Sequence, residues 1–191
     1  MSRLIVFEGI DGAGTTTQSR LLFEALNKGK KAFWDKEPTD GEIGKMIRDI
    51  LFNHLEVHPL TFLQLFLADR AHHQEIIKDR LASSHDFILD RYILSTMAYQ
   101  GEIFEIEDLY QLNKNFQIPD IVFFIDVPVK TGLSRKTGKK ELFEKEEILI
   151  KVRERYLKSI DYLKNKNWNI IMLDGEKTQD ELHKEILNYI D

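Results

Sequence analysis

Nine consecutive residues near the start of the chain carry the densest chemical signal: Gly9-Ile10-Asp11-Gly12-Ala13-Gly14-Thr15-Thr16-Thr17. Three glycines let a backbone turn tightly, so that successive N–H groups and the start of a following helix converge on one anion. Gly9, Gly14 and Thr16 fit the spacing of a phosphate-binding loop, but Thr15 stands where that pattern carries lysine. The backbone cradle survives this change, and so does the Thr16 hydroxyl that would face a magnesium ion. The point charge normally placed on the β- and γ-phosphates does not. Taken alone, the loop could also be a glycine-rich turn that binds nothing.

Three further groups have more chemistry than turns or helix faces need. Asp90-Arg91-Tyr92 follows the apolar run Phe87-Ile88-Leu89. A carboxylate there can hold the water shell of a magnesium ion, and the arginine offers a planar fork to a phosphate. The competing reading is an Asp-Arg ion pair closing a strand. Phe66 and Arg70 lie four apart and share a helix face, where a ring can stack on a base while guanidinium donors meet its acceptors. The plainer alternative makes Phe66 core and Arg70 a surface charge. Ser134-Arg135-Lys136-Thr137-Gly138-Lys139-Lys140-Glu141 is a short basic segment, either a solvated charge run or a lid that closes cations over phosphates. The six histidines show no ligand spacing. His72 and His73 are adjacent and would point about 100° apart on a helix, so surface or helix-end positions are expected for them.

The elements that must position these groups alternate along the chain. Strands are expected at Leu4–Phe7, Lys31–Trp34, Phe87–Leu89, Ile121–Asp126 and Asn169–Leu173. Helices are expected at Thr16–Asn27, Ile43–Asn53, Pro59–Ser83, Ile93–Tyr99, Ile106–Asn115, Val129–Ser134, Glu144–Lys164 and Thr178–Tyr189. Alternation of this kind predicts an α/β fold with a five-stranded parallel sheet and helices on both faces. Thr39-Asp40-Gly41-Glu42 and Thr178-Gln179-Asp180-Glu181 read as capping boxes, and Pro59 fits a first helical turn. In such sheets ligands sit beyond the carboxyl ends of the strands, which directs attention to Glu8–Thr16, Asp35–Gly41, Asp90–Tyr92, Asp126–Val129 and Asp174–Gly175.

Composition narrows the classes. A chain of 191 residues suits one domain with a real core. A net charge of −5 argues against nucleic acid as a partner, and the absence of cysteine excludes disulfides and thiolate metal sites. No apolar stretch approaches the ~20 residues needed to span a bilayer, so no membrane partner is expected. The chain runs straight into a strand without a cleavable signal pattern, and a cytoplasmic protein is the expectation.

Together these residues resemble the bacterial-type thymidylate kinases, in one order over nearly the whole chain. The resemblance is carried by Phe7-Glu8-Gly9-Ile10-Asp11-Gly12-Ala13-Gly14, by Glu37-Pro38-Thr39-Asp40-Gly41 with Ile43-Gly44, and by Phe66-Leu67-Ala68-Asp69-Arg70-Ala71. It continues through Asp90-Arg91-Tyr92, Ser95-Thr96-Met97-Ala98-Tyr99-Gln100-Gly101, Pro119-Asp120 and Arg153-Glu154-Arg155-Tyr156-Leu157. It implies a P-loop nucleoside monophosphate kinase fold in a single domain over residues 1–191, with a short lid at about 135–144. The implied reaction is transfer of the γ-phosphoryl group of ATP to dTMP with Mg²⁺, giving dTDP and ADP. Residues 9–17 would hold the ATP phosphates. Glu37, Pro38, Phe66, Arg70, Arg91, Thr96, Tyr99 and Gln100 would form the dTMP site. Within it Phe66 would stack on thymine, Arg70 would bond its edge, Arg91 would hold the 5′-phosphate, and Tyr99 would crowd a ribose 2′-hydroxyl. Asp11 would face the acceptor sugar and the metal region. Thr16 would ligate the metal, with Asp90 reaching it through water. A homodimer is the implied state.

Two departures from the family pattern matter. Thr15 replaces lysine, and removing a preorganised charge donor typically costs ~3 kcal/mol, roughly a hundredfold in rate. The loop also lacks a basic residue at Ala13, and family members of that kind tend to carry lid arginines. Arg135 and Lys136 are therefore the first candidates to replace the missing charge. The lid itself reads Lys139-Lys140-Glu141-Leu142 in place of several arginines and an Asp-Arg-x-Glu, so its bidentate clamping would be weaker. A kinase acting on a related nucleotide or deoxynucleoside, and a nucleotide-binding protein without turnover, are the alternatives.

Overall fold

The computed structural model describes residues 2–29, 31–135, 143 and 145–190. Five strands, β1 (Leu4–Glu8), β2 (Ala32–Lys36), β3 (Asp86–Asp90), β4 (Ile121–Asp126) and β5 (Ile170–Asp174), form one sheet in the order β2-β3-β1-β4-β5. Every neighbouring pair is parallel, with Leu4 opposite Phe87, Ile5 opposite Ile121, Phe33 opposite Phe87 and Val122 opposite Ile170. The helices are α1 (Thr15–Asn27), α2 (Glu42–Asn53), α3 (Pro59–Ala82), α4 (Ile93–Gln100), α5 (Ile106–Asn113), α6 (Val129–Arg135), α7 (Glu146–Lys164) and α8 (Gln179–Leu187).

β1 is the centre of this arrangement, and its composition explains why. All five of its residues are buried, which requires cover on both faces of the sheet. Helix α1 packs over β1, β2 and β3 and touches α8, while α3 packs on β3 and on α4, which lies against α7. The core continues through Phe7 and Phe123, with ring centroids 5.3 Å apart, and Phe124 against Tyr156 at 5.1 Å. β1 lies between β3 and β4, with β2 and β3 placed on one side of it and β4 and β5 on the other, so the strand order reverses there and a crevice opens at its carboxyl end.

The boundaries differ from the sequence reading in three informative places. β2 runs on to Lys36, because Asp35 and Lys36 keep pairing with Leu89 and Asp90, so two residues expected beyond the strand are in it. Helix α2 begins at Glu42 with Gly41 as its cap and no side-chain capping bond. The expected box at Thr39 is therefore absent: its hydroxyl donates to Asp69 Oδ1 at 2.6 Å and accepts from the Gly41 N–H at 3.2 Å. The Thr178 box is present in full at the start of α8. Helix α6 takes in Arg135, and the rest of the expected lid lies outside the described residues except for Phe143.

Candidate active site

The phosphate loop joins β1 to α1, and backbone conformation shows why it needs glycine. Gly12 has φ +79°, and a Cβ on it would lie 2.1 Å from the carbonyl oxygen of Gly132, so α6 packs directly on the loop. Gly14 caps α1 at φ +99° with no side-chain capping bond, which leaves the first-turn N–H groups of the helix for an anion. Thr15 is buried at the first helical position.

Arg91 ties this loop to the rest of the site. Its backbone is left-handed, at φ +71°, a conformation that costs a non-glycine residue roughly 1–2 kcal/mol. Neighbouring contacts hold it there: its N–H donates to the Phe7 carbonyl at 2.9 Å, and the next N–H, of Tyr92, donates to Glu8 Oε1 at 2.9 Å. The side chain then reaches back over the loop, giving Nη1 to the Gly9 carbonyl at 3.0 Å and Nη2 to Asp11 Oδ1 at 2.6 Å. The Asp90–Arg91 ion pair considered from sequence is not what forms; Arg91 pairs with Asp11. Glu8 also accepts from the Ser95 N–H at 3.1 Å and from the Ser95 hydroxyl, so it occupies the start of α4. Complete burial pushes its carboxyl above the ordinary carboxylate value, against the Ser95 bond and the Arg91 charge.

Asp90 shares its Oδ2 with the Thr16 hydroxyl, while its buried Oδ1 has no hydrogen-bond partner among the described residues. An orphaned carboxylate oxygen beside a hydroxyl is a hard-oxygen pair, suited to a magnesium ion whose other ligands are phosphate and water. Among the described residues no cluster of three or more His, Cys, Asp or Glu side chains forms a complete protein cage.

A cleft open to solvent adjoins the loop. It is lined by Asp11, Glu37, Pro38, Phe66, Arg70, Arg91, Thr96, Tyr99 and Gln100, which brings together all eight residues expected to hold the acceptor. Leu51, Tyr92, Ser95 and Phe143 complete the lining. Phe66 meets Phe62 edge-on at 5.0 Å, leaving a face for a ring. Arg70 is not a surface charge: it is 1% exposed and bonds Glu37 Oε2 through Nε at 2.9 Å and Thr96 Oγ1 through Nη2 at 3.1 Å. The Tyr99 ring sits between Phe143, at 5.3 Å, and Tyr156, at 6.1 Å, with the Arg91 guanidinium 5.6 Å from its centroid. Burial drives its phenol well above the ordinary value, so it is neutral at physiological pH. The buried Gln100 amide presents an Nε2 with no partner among the described residues.

Two features escaped the sequence reading. His73 is fully buried, against the expectation for these histidines, with Nδ1 3.2 Å from Glu37 Oε1 and Nε2 3.3 Å from Asp35 Oδ2. Burial alone would lower its pKa, but the two carboxylates raise it to about 9, so it is an imidazolium. Burial likewise works against Asp35, yet the His73 contact holds that carboxyl below its usual range. Phe143, expected only as lid, packs beside Phe62 with ring centroids 6.4 Å apart. Of the two proposed charge donors, Arg135 gives Nη2 to the Gly175 carbonyl at 3.0 Å, and Lys136 lies outside the described residues.

A parallel sheet of this order, with a glycine loop after β1 and a lined cleft beside it, defines a phosphotransferase of the P-loop nucleoside monophosphate kinase class. The family description "Thymidylate kinase" matches residues 7–186, and the chain belongs to that family. It is 41% identical over 189 residues to the "Probable thymidylate kinase" of Methanocaldococcus jannaschii, covering 97% of this chain and 94% of the relative. It is 37% identical over 199 residues to the thymidylate kinase of Thermosipho melanesiensis, covering 98% and 96%. Among solved structures, the Candida albicans thymidylate kinase superposes with a TM-score of 0.86 at 25% identity, over 99% of this chain and 91% of that one. The Ehrlichia chaffeensis thymidylate kinase superposes at 0.79 with 29% identity, over 100% and 99%.

Proposed function

We propose that the chain transfers the γ-phosphoryl group of ATP to dTMP, forming dTDP and ADP, with Arg91 at the junction of the two substrate sites. The observation that carries this reading is the reach of Arg91: it bonds Gly9 and Asp11 of the phosphate loop and also lines the acceptor cleft. An acceptor phosphate seated on its guanidinium would face the donor's γ-phosphate. In-line attack by an oxygen of that phosphate then forms the new P–O bond as the bond to ADP breaks, without a protein nucleophile. The protein's work is placement and charge neutralisation.

Phe66 would stack the base, Arg70 and Gln100 would bond its edge, and Tyr99 with Thr96 would close round the sugar and base. Thr16 and Asp90 would hold Mg²⁺, which when bound shields the phosphate oxygens. Thr15 stands at the lysine's position in the loop, so Arg135 and Lys136 are proposed to supply the missing charge. Helices α2 and α3 and their connection expose Met46, Phe52, Leu55, Val57, Leu60 and Ile76, which supports a homodimer formed through these helices. No helix among the described residues is long and apolar enough to cross a membrane, in keeping with a cytoplasmic enzyme.

A coupled assay of ADP release with ATP, Mg²⁺ and dTMP, on the wild type and Thr15→Lys, tests the reading. dTMP-dependent release is expected from both proteins, with dUMP, dCMP and thymidine as poorer acceptors. Release that is independent of dTMP, or greatest with thymidine, would refute it.

A further inference from the structure

The contacts of Arg70 are unequal, and the inequality points to a residue outside the cleft. Nε and Nη2 both reach Glu37, at 2.9 and 2.8 Å, but both end on the same oxygen, Oε2. Two donors converging on one atom make a pivot: the guanidinium can swing in its own plane about Oε2. Thr96 steadies Nη2 at 3.1 Å. Nη1 lies on the far side of the guanidinium, where a swing moves it most, and its acceptor is Asn113 Oδ1 at 2.6 Å. Nη1 has two N–H groups, so one is left without an acceptor among the described residues, on a side chain that lines the cleft.

Asn113 is the last residue of α5, 1% exposed, and is not among the residues lining the acceptor cleft. Its amide orientation is fixed because Nδ2 donates to the Leu109 carbonyl one turn back, at 2.7 Å, which turns Oδ1 toward Arg70. A side chain that satisfies its own helix end on one side and a buried guanidinium on the other has little freedom to move.

We propose that Asn113 is a positioning residue that sets base selectivity: it locks Arg70 so that the remaining Nη1 N–H meets a ring carbonyl and rejects a ring amine. The base class selected is the 4-oxopyrimidines, thymine and uracil, over 4-aminopyrimidines such as cytosine. A fixed N–H facing an amino group leaves two donors opposed and unpaired, whereas a guanidinium free to pivot turns away and loses the distinction. The inference rests on the reading of this cleft as the acceptor-base site.

The test is steady-state kinetics of the full chain with dTMP and with dCMP. Asn113→Leu removes both polar atoms at nearly constant shape, Asn113→Asp keeps an acceptor for Arg70 while giving up the bond to the Leu109 carbonyl, and Arg70→Ala is the control. For Asn113→Leu, KM for dTMP should rise roughly 10- to 100-fold and the dTMP-to-dCMP ratio of kcat/KM should fall by about tenfold or more. Its kcat and its KM for ATP should stay within about twofold, which a general loss of structure would not allow. Asn113→Asp should keep the ratio within about threefold of wild type. If Asn113→Leu does not fold, Asn113→Ser takes its place, since the shorter hydroxyl cannot span the gap to Arg70. An unchanged KM and ratio in the Leu or Ser variant, or an equal loss in the Asp variant, overturns the inference. Arg70→Ala separates the two levels: if it leaves KM for dTMP unchanged, the acceptor-site reading itself fails. If it raises KM while the Asn113 variants do not, only the role of Asn113 falls.

Discussion

Replacing His73 with Gln should lower stability at neutral pH and abolish one component of its pH dependence. His73 on α3 faces Asp35 and Glu37, and Glu37 in turn holds Arg70, so two anions and two cations share one cluster, buried except at the half-exposed Asp35. The imidazole pKa rises from 6.5 to about 9, and each unit corresponds to about 1.4 kcal/mol, which makes the coupled proton worth about 3 kcal/mol. The sign follows from a folded pKa above the unfolded one: the stabilisation is complete below about pH 6.5 and is lost as pH climbs through about 9. Urea unfolding of wild type and His73→Gln at pH 6, 7.5 and 9.5 isolates the effect of this proton, because other titrating groups cancel in the difference. The wild-type advantage should shrink by about 3 kcal/mol between the lowest and highest pH. An advantage that stays constant over this range would refute the assignment of His73 as a buried cation.

Three other outcomes are expected. Thr178→Ala removes the intact capping box of α8 and should cost about 1 kcal/mol in chemical denaturation without changing KM for either substrate. Asp90→Asn replaces the carboxylate beside Thr16 and should raise the Mg²⁺ concentration needed for half-maximal turnover by at least about tenfold, with folding unchanged by circular dichroism. Arg135→Ala or Lys136→Ala should lower kcat roughly a hundredfold if that side chain supplies the charge missing at Thr15. Unchanged turnover in both would show that the loop works without a substitute.

The architecture was readable because β-branched and aromatic runs of strand length alternate with helical periodicity, and each expected strand and helix forms within a few residues of its expected bounds. Spacing places Phe66 and Arg70 on one face of α3 but leaves Arg70 open as a surface charge, and the cleft residues as a set were legible only through the family resemblance. His73 was not, because its partners come from β2 and the turn beyond it, more than thirty residues earlier, and no local spacing announces them. Asn113 looks like an ordinary helix end, and Glu8 like an interruption of an apolar strand; each gains meaning only when α5 meets α3 and β1 meets α4. The apolar run ends at Trp34, so the sequence predicts loop at Asp35 and Lys36, yet edge-strand pairing tolerates polar residues on its open side.

The contact between Gly12 and Gly132 has a mechanical consequence. Two backbones touch there with no side chain to act as a cushion, so α6 is geared to the donor cradle. Any displacement of α6 would travel directly into the turn between β1 and α1 through that single backbone contact. Bulk introduced at either glycine would wedge α6 away from the loop, even with every charged group still in place.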